Sequence, residues 1–528
     1  MSSSRCLVVG AGPAGLATAL GLLDAGHAVT LLERAAAPGG LGLHAFGGMA
    51  LCGTPLQRRS GIPDGPAVAL ADWLSFAGFA PEDEWPRRWA EHYVERCVPE
   101  VYEALRARGL RFIPAVQWVE RGWATPGNSL PRYHVLWGTA RHLVNSQLAA
   151  LREHRHAARL DWRLQHRVDD FEHTDGRITG VRGVDENTGR EFRFDADAVV
   201  VAAGGLTGDL ARVRALWSAG PAPAELLNGS HPHADGRLHD AAARHGARLA
   251  HLDRMWHYAA GVAHPNPQFD GHGLSLIPTR SALWLGPDGR RIGPEPFVTG
   301  YDTAAMVERV ARERWPWTWQ LLNRRIADKE LAASGAEHNP QIRERRVLGF
   351  VRQLLRGQPE LVDELLARCP DVVQGATLDE LARRMNALTG DGRITAATLQ
   401  AQIAPYDAQI TRGPALHDDD QLRRIEHLRR WRGDRVRTCR YQRILDPAAG
   451  PLIAIRCRLL TRKSMGGLQT DLSSRVLDTK GTPIAGLYAV GEAAGFGGGN
   501  ASGRKSLEGT FLPGCLLTAN AAVRHLGT

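Results

Sequence analysis

No Cys-x-x-Cys pair occurs in this chain of 528 residues. Its seven cysteines, Cys6, Cys52, Cys97, Cys369, Cys439, Cys457 and Cys515, are scattered. That spacing argues against a zinc site, an iron–sulfur cluster or a disulfide framework, so no metal is expected. It fits reduced thiols in a cytoplasmic protein. No apolar run reaches the roughly 18 residues that a membrane span needs. Residues 1–4 are too few for a signal peptide ahead of the first apolar strand. No run of Lys and Arg alternates with aromatic residues, so nucleic acid is not an expected partner. Internal repeats and low-complexity tracts are also missing. Basic residues exceed acidic ones, 65 against 56, for a formal net charge of +9. The excess is mostly arginine. It reads first as surface solvation and second as a field that draws in anions. With 43% hydrophobic and 23% charged residues, the chain is an ordinary globular protein of two or three domains.

What is present starts at the N-terminus. Arg5–Val9 reads as a short buried strand, followed by Gly10-Ala11-Gly12-Pro13-Ala14-Gly15. Helical periodicity runs from Ala14 to Ala25, and a second apolar strand, Ala28–Leu32, ends at Glu33. Strand, glycine turn, helix, strand and acid at this spacing form the βαβ dinucleotide fingerprint. Gly10 permits the tight turn, Gly12 lets the backbone approach a pyrophosphate, and Gly15 lets the helix pack on the strand. The helix N-terminus offers free N–H groups, with Pro13 and Ala14 at its start, and Glu33 accepts hydrogen bonds from a ribose diol. Gly39-Gly40 is a second glycine pair near the same phosphates. Further on, a β-meander (Arg167–Glu172, Ile178–Asp185, Glu191–Asp195) precedes Ala198–Gly205, a buried strand that runs through Ala203 into Gly204-Gly205. Near the C-terminus Gly486–Ala493 is another strand, ending in Gly491-Glu492.

These parts, in this order, resemble the FAD-binding domain of the fumarate reductase and succinate dehydrogenase flavoprotein superfamily. The chain looks closest to its 3-ketosteroid dehydrogenase-like branch. The carrying segments include Trp85–Glu91, Pro131–Thr139, Asp253–Tyr258, Arg443–Pro447, Thr461–Asp471 and Leu507–Phe511. The resemblance implies an α/β fold: a Rossmann-type FAD-binding domain in two pieces, residues 1–212 and 436–528. An α+β capping or substrate domain at 213–435 is inserted between them. It implies FAD as cofactor, with Arg34, Gly47, Gly48, Val168, Phe511 and Leu512 joining the glycines and acids above around it. Only one glycine fingerprint is present, so direct tight binding of NAD(P)H is not expected. In the inserted segment, apolar spacing predicts helices over Ala304–Arg314, Trp317–Ala332, Gln341–Arg356, Thr377–Leu388 and Ala396–Ile410. The tryptophans at 315, 317 and 319 are read as helix packing.

Departures from the fumarate reductases narrow the chemistry. Lys463-Ser464 stands where they carry a His, Tyr301 where they carry an acid-catalytic Arg, and Ser506 where they carry a carboxylate-binding Arg. Dicarboxylate reduction is therefore not expected. Tyr301-Asp302 instead resembles the catalytic Tyr-Asp pair of the ketosteroid dehydrogenases. Their ketone-binding tyrosine aligns with Lys505 and their ketone-binding amide with Gly509. Removing hydrogen across a C–C bond beside a carbonyl needs a flavin to accept hydride, a base, and donors for the carbonyl oxygen. Tyr301 is the candidate base, Lys505 and the Gly509 amide the donors, Arg504 an assisting cation, and Lys463 a stabiliser of anionic reduced flavin. His134, Trp256, His257 and Tyr258 are assigned to the substrate-pocket wall. The expected activity is dehydrogenation, or the reverse ene-reduction, of a carbonyl-activated C–C bond in a largely apolar small molecule. A flavin oxidase using oxygen and a non-catalytic flavin-binding regulator are the alternatives. The residues leave the electron acceptor and the oligomeric state open.

Leu41 occupies the position where the succinate dehydrogenase branch attaches its flavin through His, and His44 is out of register. Acid precipitation of the purified protein is therefore expected to leave FAD, and the yellow colour, in the supernatant. Colour held in the pellet would show a covalent link.

Overall fold

A computed structural model describes residues 4–123, 125–313 and 315–527. They divide into two compact units. The first comprises Met1–Leu216, Ser230–Trp256 and Lys463–Thr528, and the second Trp217–Gly229 and His257–Arg462. No helix among the described residues is long and apolar enough to cross a membrane.

The first unit is built on a nine-stranded sheet. Its parallel heart runs Leu160–Leu164, Ala28–Glu33, Arg5–Val9, Ala198–Val201, Pro483–Ala489. Strands buried on both faces carry near-continuous apolar runs, and Cys6–Val9 and Ala198–Val201 are such runs, buried at every residue. The antiparallel meander His166–Thr174, Arg177–Asp185, Glu191–Asp195 extends one edge. Helix Pro13–Asp24 is buried on most of its circumference because helices Thr139–Arg152 and Phe511–Leu526 pack against it as well as the sheet. That is why its sequence is apolar all round rather than amphipathic.

An eight-stranded sheet of largely antiparallel pairing forms the core of the second unit, with helices around it. Its longest strand, Leu452–Ser464, pairs with Thr318–Asn323 on one side and Val372–Gly375 on the other. Here the helix predicted over Trp317–Ala332 is corrected. Its first half is the strand Thr318–Asn323, buried at all six residues, and only Arg324–Glu330 is helical. A short apolar run looks alike as buried strand or buried helix, and the long partner strand decides. Trp319 accordingly packs within the sheet, while Trp315 and Trp317 lie in the loop before it. The helix predicted over Gln341–Arg356 is two, Pro340–Arg343 and Val347–Arg356, interrupted where Arg345 takes φ +56°. Helix Thr303–Arg312 stands where Ala304–Arg314 was expected, Arg314 lying outside the described residues.

One ionic cluster ties this sheet together. The fully buried Asp371 accepts from Arg456 Nε at 2.7 Å, from Arg458 Nη2 at 2.5 Å and from the Ala263 amide at 2.6 Å. Removing a carboxylate so placed strands two largely buried guanidinium groups. Asp371→Ala is expected to cost about 3–5 kcal/mol, the usual penalty for breaking a buried pair. A thermal-melting midpoint equal to wild type would show that water replaces the carboxylate without loss.

Candidate active site

The dinucleotide fingerprint opens onto a pocket made wholly from the first unit. At its floor the chain leaves strand Arg5–Val9 through Gly10, whose amide donates to Leu32 O at 2.7 Å. Gly10 sits at φ +105°, and a Cβ there would lie 2.5 Å from Ala202 O. A Cβ on Gly15 would lie 1.8 Å from Gly10 O, so the helix starts this close only because both are glycine. Gly12 differs: it lines the pocket, and a Cβ there meets nothing within 4 Å. The helix begins at Pro13 with no side-chain cap, which leaves its first amides for an anion.

Glu33, at the end of the neighbouring strand, lines the same pocket. Its Oε2 accepts from the Ala11 amide and its Oε1 from the Ala35 amide, both at 2.8 Å. Arg34 beside it pairs with Glu186 at 3.2 Å and Asp235 at 3.1 Å. Gly40, Val168, Ala203, Gly204, Gly205 and Glu492 also line the pocket, as do Pro13 and Ala14. Gly39, Gly47, Gly48, Gly491, Phe511 and Leu512 fall outside its lining. Gly47 and Gly48 pack on the segment Tyr133–Ala140, and Gly491 packs on Ala14.

The segment Ser230–Trp256 supplies pocket residues that the sequence reading assigned no role. His231, His233, Asp235 and His239 all line it. Burial, then the charge of His233, His44 and Arg34, pushes the His231 imidazole down to about 4. Burial likewise takes His239, whose Nε2 contacts Ala493 O at 3.1 Å, to about 4. Both are neutral hydrogen-bonding groups at pH 7. His233 Nδ1 is buried with no hydrogen-bond partner among the described residues. An open space above Gly12, uncapped helix amides, the Glu33 carboxylate in the lining and an orphaned imidazole nitrogen together fit FAD.

Glu492, in the pocket lining, accepts at Oε1 from Ser464 N at 2.8 Å, and Ser464 Oγ accepts from the Leu206 amide at 2.8 Å. The Lys463 ammonium lies 4.2 Å from the centre of the Phe511 ring. The Cys515 thiol is pushed up to about 12, by burial and then by the Glu492 carboxylate, so it is an inert lining group. In the C-terminal loop Arg504 is exposed, and the half-buried Lys505 has its ammonium 5.8 Å from the Phe76 ring. The Gly509 carbonyl is spent on the Ala50 amide at 2.8 Å, while its own amide has no partner among the described residues.

The candidate base is in the second unit. Tyr301 is buried, and its hydroxyl lies 2.8 Å from His427 Nδ1. The Arg424 guanidinium stands 5.7 Å from its ring and is held below the usual arginine value, burial outweighing the attraction of Tyr301. Asp302 does different work: its Oδ1 accepts from the Ala305 amide and caps helix Thr303–Arg312. His427 lies 126 residues from Tyr301 in sequence, so no local pattern announces the pair.

The substrate-wall assignments part company. His134 is corrected: it is fully buried, with Nε2 on Thr54 Oγ1 at 2.8 Å and Nδ1 on Arg132 O at 2.7 Å. Both nitrogens are used, and Arg132 itself is clamped by Asp64 at 2.8 Å and Asp72 at 2.5 Å. The motif Pro131–Thr139 therefore builds the fold. Trp256 is buried and donates from Nε1 to Glu508 Oε2 at 2.9 Å. His257 stacks on Trp217 with ring centres 4.3 Å apart, and burial pushes it down to about 3. Tyr258 is half-buried. Elsewhere, His264, Glu337 and His338 gather their polar atoms as a metal site would. The Asn266 amide donates to His264 Nδ1 at 3.0 Å, so His264 Nε2 carries the proton and donates to Glu337 at 2.9 Å. That is a hydrogen-bonded network.

Because a side chain at Gly12 would project into the pocket without touching protein, Gly12→Val is expected to fold and to lose most of its FAD. A folded variant with full flavin absorbance would move the phosphates elsewhere.

The family model described as an FAD binding domain matches residues 5–511. A KsdD-like steroid dehydrogenase of Mycolicibacterium smegmatis is 41% identical over 534 residues, spanning 97% of this chain and 96% of the relative. A solved 3-ketosteroid delta1-dehydrogenase from Sterolibacterium denitrificans has a TM-score of 0.69 at 18% identity, covering 100% of both chains. The 3-ketosteroid-delta4-(5alpha)-dehydrogenase from Rhodococcus jostii RHA1 has a TM-score of 0.65 at 20% identity, covering 100% of this chain and 97% of that one. At such identities the solved structures bear on the fold alone. The pocket and these matches lead to one assignment: the chain belongs to the FAD-binding-domain flavoproteins and is an FAD-dependent oxidoreductase.

Proposed function

We propose that the protein dehydrogenates a C–C bond next to the ketone of a rigid, largely apolar substrate of the 3-ketosteroid kind. The observation that carries this reading is the buried Tyr301 hydroxyl set on His427 Nδ1 at 2.8 Å. The steroid dehydrogenase relative at 41% identity supports the substrate class. The seven free thiols favour a cytoplasmic setting.

When bound, the flavin supplies the hydride acceptor. The chain supplies the rest. Tyr301 Oη takes the acidic proton from the carbon beside the ketone, and His427 Nδ1 accepts the phenol's own proton, so no isolated phenolate has to persist. Arg424 faces the ring and favours negative charge there. Lys505 and the Gly509 amide, in the first unit, are the donors that the resemblance assigns to a ketone oxygen.

Two measurements test this. Under anaerobic conditions, 4-androstene-3,17-dione or its ring-saturated counterpart is expected to bleach the flavin, and succinate is not. Tyr301→Phe keeps the ring and removes the hydroxyl. FAD content and steroid affinity are expected to stay near normal while flavin reduction slows by about a hundredfold, the usual size of an acid–base contribution. A fully active Tyr301→Phe protein would return the residue to a packing role. Bleaching by succinate alone would move the enzyme to the dicarboxylate branch.

A further inference from the structure

Helix Val347–Arg356 buries none of its residues. Leu348 is 86% exposed, Leu355 74%, Val347 62% and Val351 46%, which makes this the largest gathering of exposed large apolar side chains among the described residues. At 100° per residue these four fall within an arc of about 100° on one side of the helix. Arg352 lies about 40° beyond the edge of that arc and Arg356 about 80° beyond it, both exposed. Arg343, Arg345 and Arg346 precede the helix, with Glu344 the one acid in the stretch 343–356. The neighbouring helix Arg432–Arg437 adds Val436, 43% exposed, and the exposed Arg432 and Arg435.

The helix is fastened from beneath. Lys329 Nζ donates to Leu354 O at 3.3 Å, and the Gln358 amide donates to Asp328 O at 2.7 Å. On its inner side Gly349 lets Gln341 approach closely. Such anchoring holds the apolar stripe outward on a fixed support.

An outward leucine and valine stripe bordered by arginines is the pattern of a helix that lies in the plane of a lipid–water interface. We propose that this face seats the protein on an anionic bilayer. The stripe enters the headgroup boundary and the arginines pair with lipid phosphates. A second protein of ordinary surface would not match so one-sided a charge, and an anionic bilayer does. The proposal is independent of the substrate reading, since it concerns a surface that carries no catalytic group.

The test uses the flavin-loaded protein and sedimentation with vesicles of phosphatidylcholine, alone or mixed with phosphatidylglycerol. Binding to the mixed vesicles is expected, at least about tenfold tighter than to pure phosphatidylcholine and weakened by salt. Replacing both Arg346 and Arg352 by Gln is expected to weaken it by roughly thirtyfold. Replacing both Leu348 and Leu355 by Gln is expected to abolish it, with FAD content, melting midpoint and flavin reduction unchanged. The proposal is overturned if the protein stays in the supernatant with mixed vesicles, if it binds both vesicle types equally, or if the substituted proteins bind like wild type. It is also overturned if those substitutions instead abolish self-association in a protein that ignores vesicles, which would make the stripe an interface between copies.

Discussion

Three parallel strands end at one level, and the cofactor chemistry depends on that alignment. Arg5–Val9 pairs in register with Ala28–Leu32 on one side and Ala198–Val201 on the other. The ends of these strands deliver Gly10, Glu33 and Ala202 to one place. The amide of Gly10 is tied to one neighbour and its missing side chain is filled by the other. A shift of pairing by one residue would turn every side chain to the opposite face and separate the acid from the glycine turn. The unbroken burial of Cys6–Val9 and Ala198–Val201 is what makes such a shift costly.

The second unit solves a different problem, the burial of charge. Asp371 satisfies two arginines and a backbone amide at once, so a polar centre can sit within a sheet core. Tyr301 and His427 are a smaller instance. The buried Tyr301 hydroxyl is met at 2.8 Å by Nδ1 of the exposed His427.

Much of the first unit was legible in the sequence because its signals are local. The fingerprint compresses turn, helix start and acid into residues 10–33, and each has a steric or electrostatic reason that needs no distant partner. The strand Ala198–Val201 was legible through its apolar run ending in three valines. The second unit was less so. Thr318–Asn323 reads as helix or strand until its partner near Leu452 is known. His427 gains meaning only from Tyr301, far away in sequence, and His134 loses its apparent role once Thr54 and Arg132 are seen to occupy it. Gly47 and Gly48 lie where a Cβ would strike Ala140 and Tyr133, so both positions need glycine for packing alone. Glycine marks close approach without saying to what.

The stretch Ser230–Trp256 has a consequence for engineering. The chain passes from one unit to the other four times, after Leu216, Gly229, Trp256 and Arg462. The second unit is therefore not a single cassette. A chimera that exchanged everything from 217 to 462 for a homologous piece, to retune substrate preference, would also carry away His231, His233, Asp235 and His239, a whole wall of the dinucleotide pocket. Recombination that respects the cofactor has to splice at 257 and leave the preceding twenty-seven residues, Ser230–Trp256, in place.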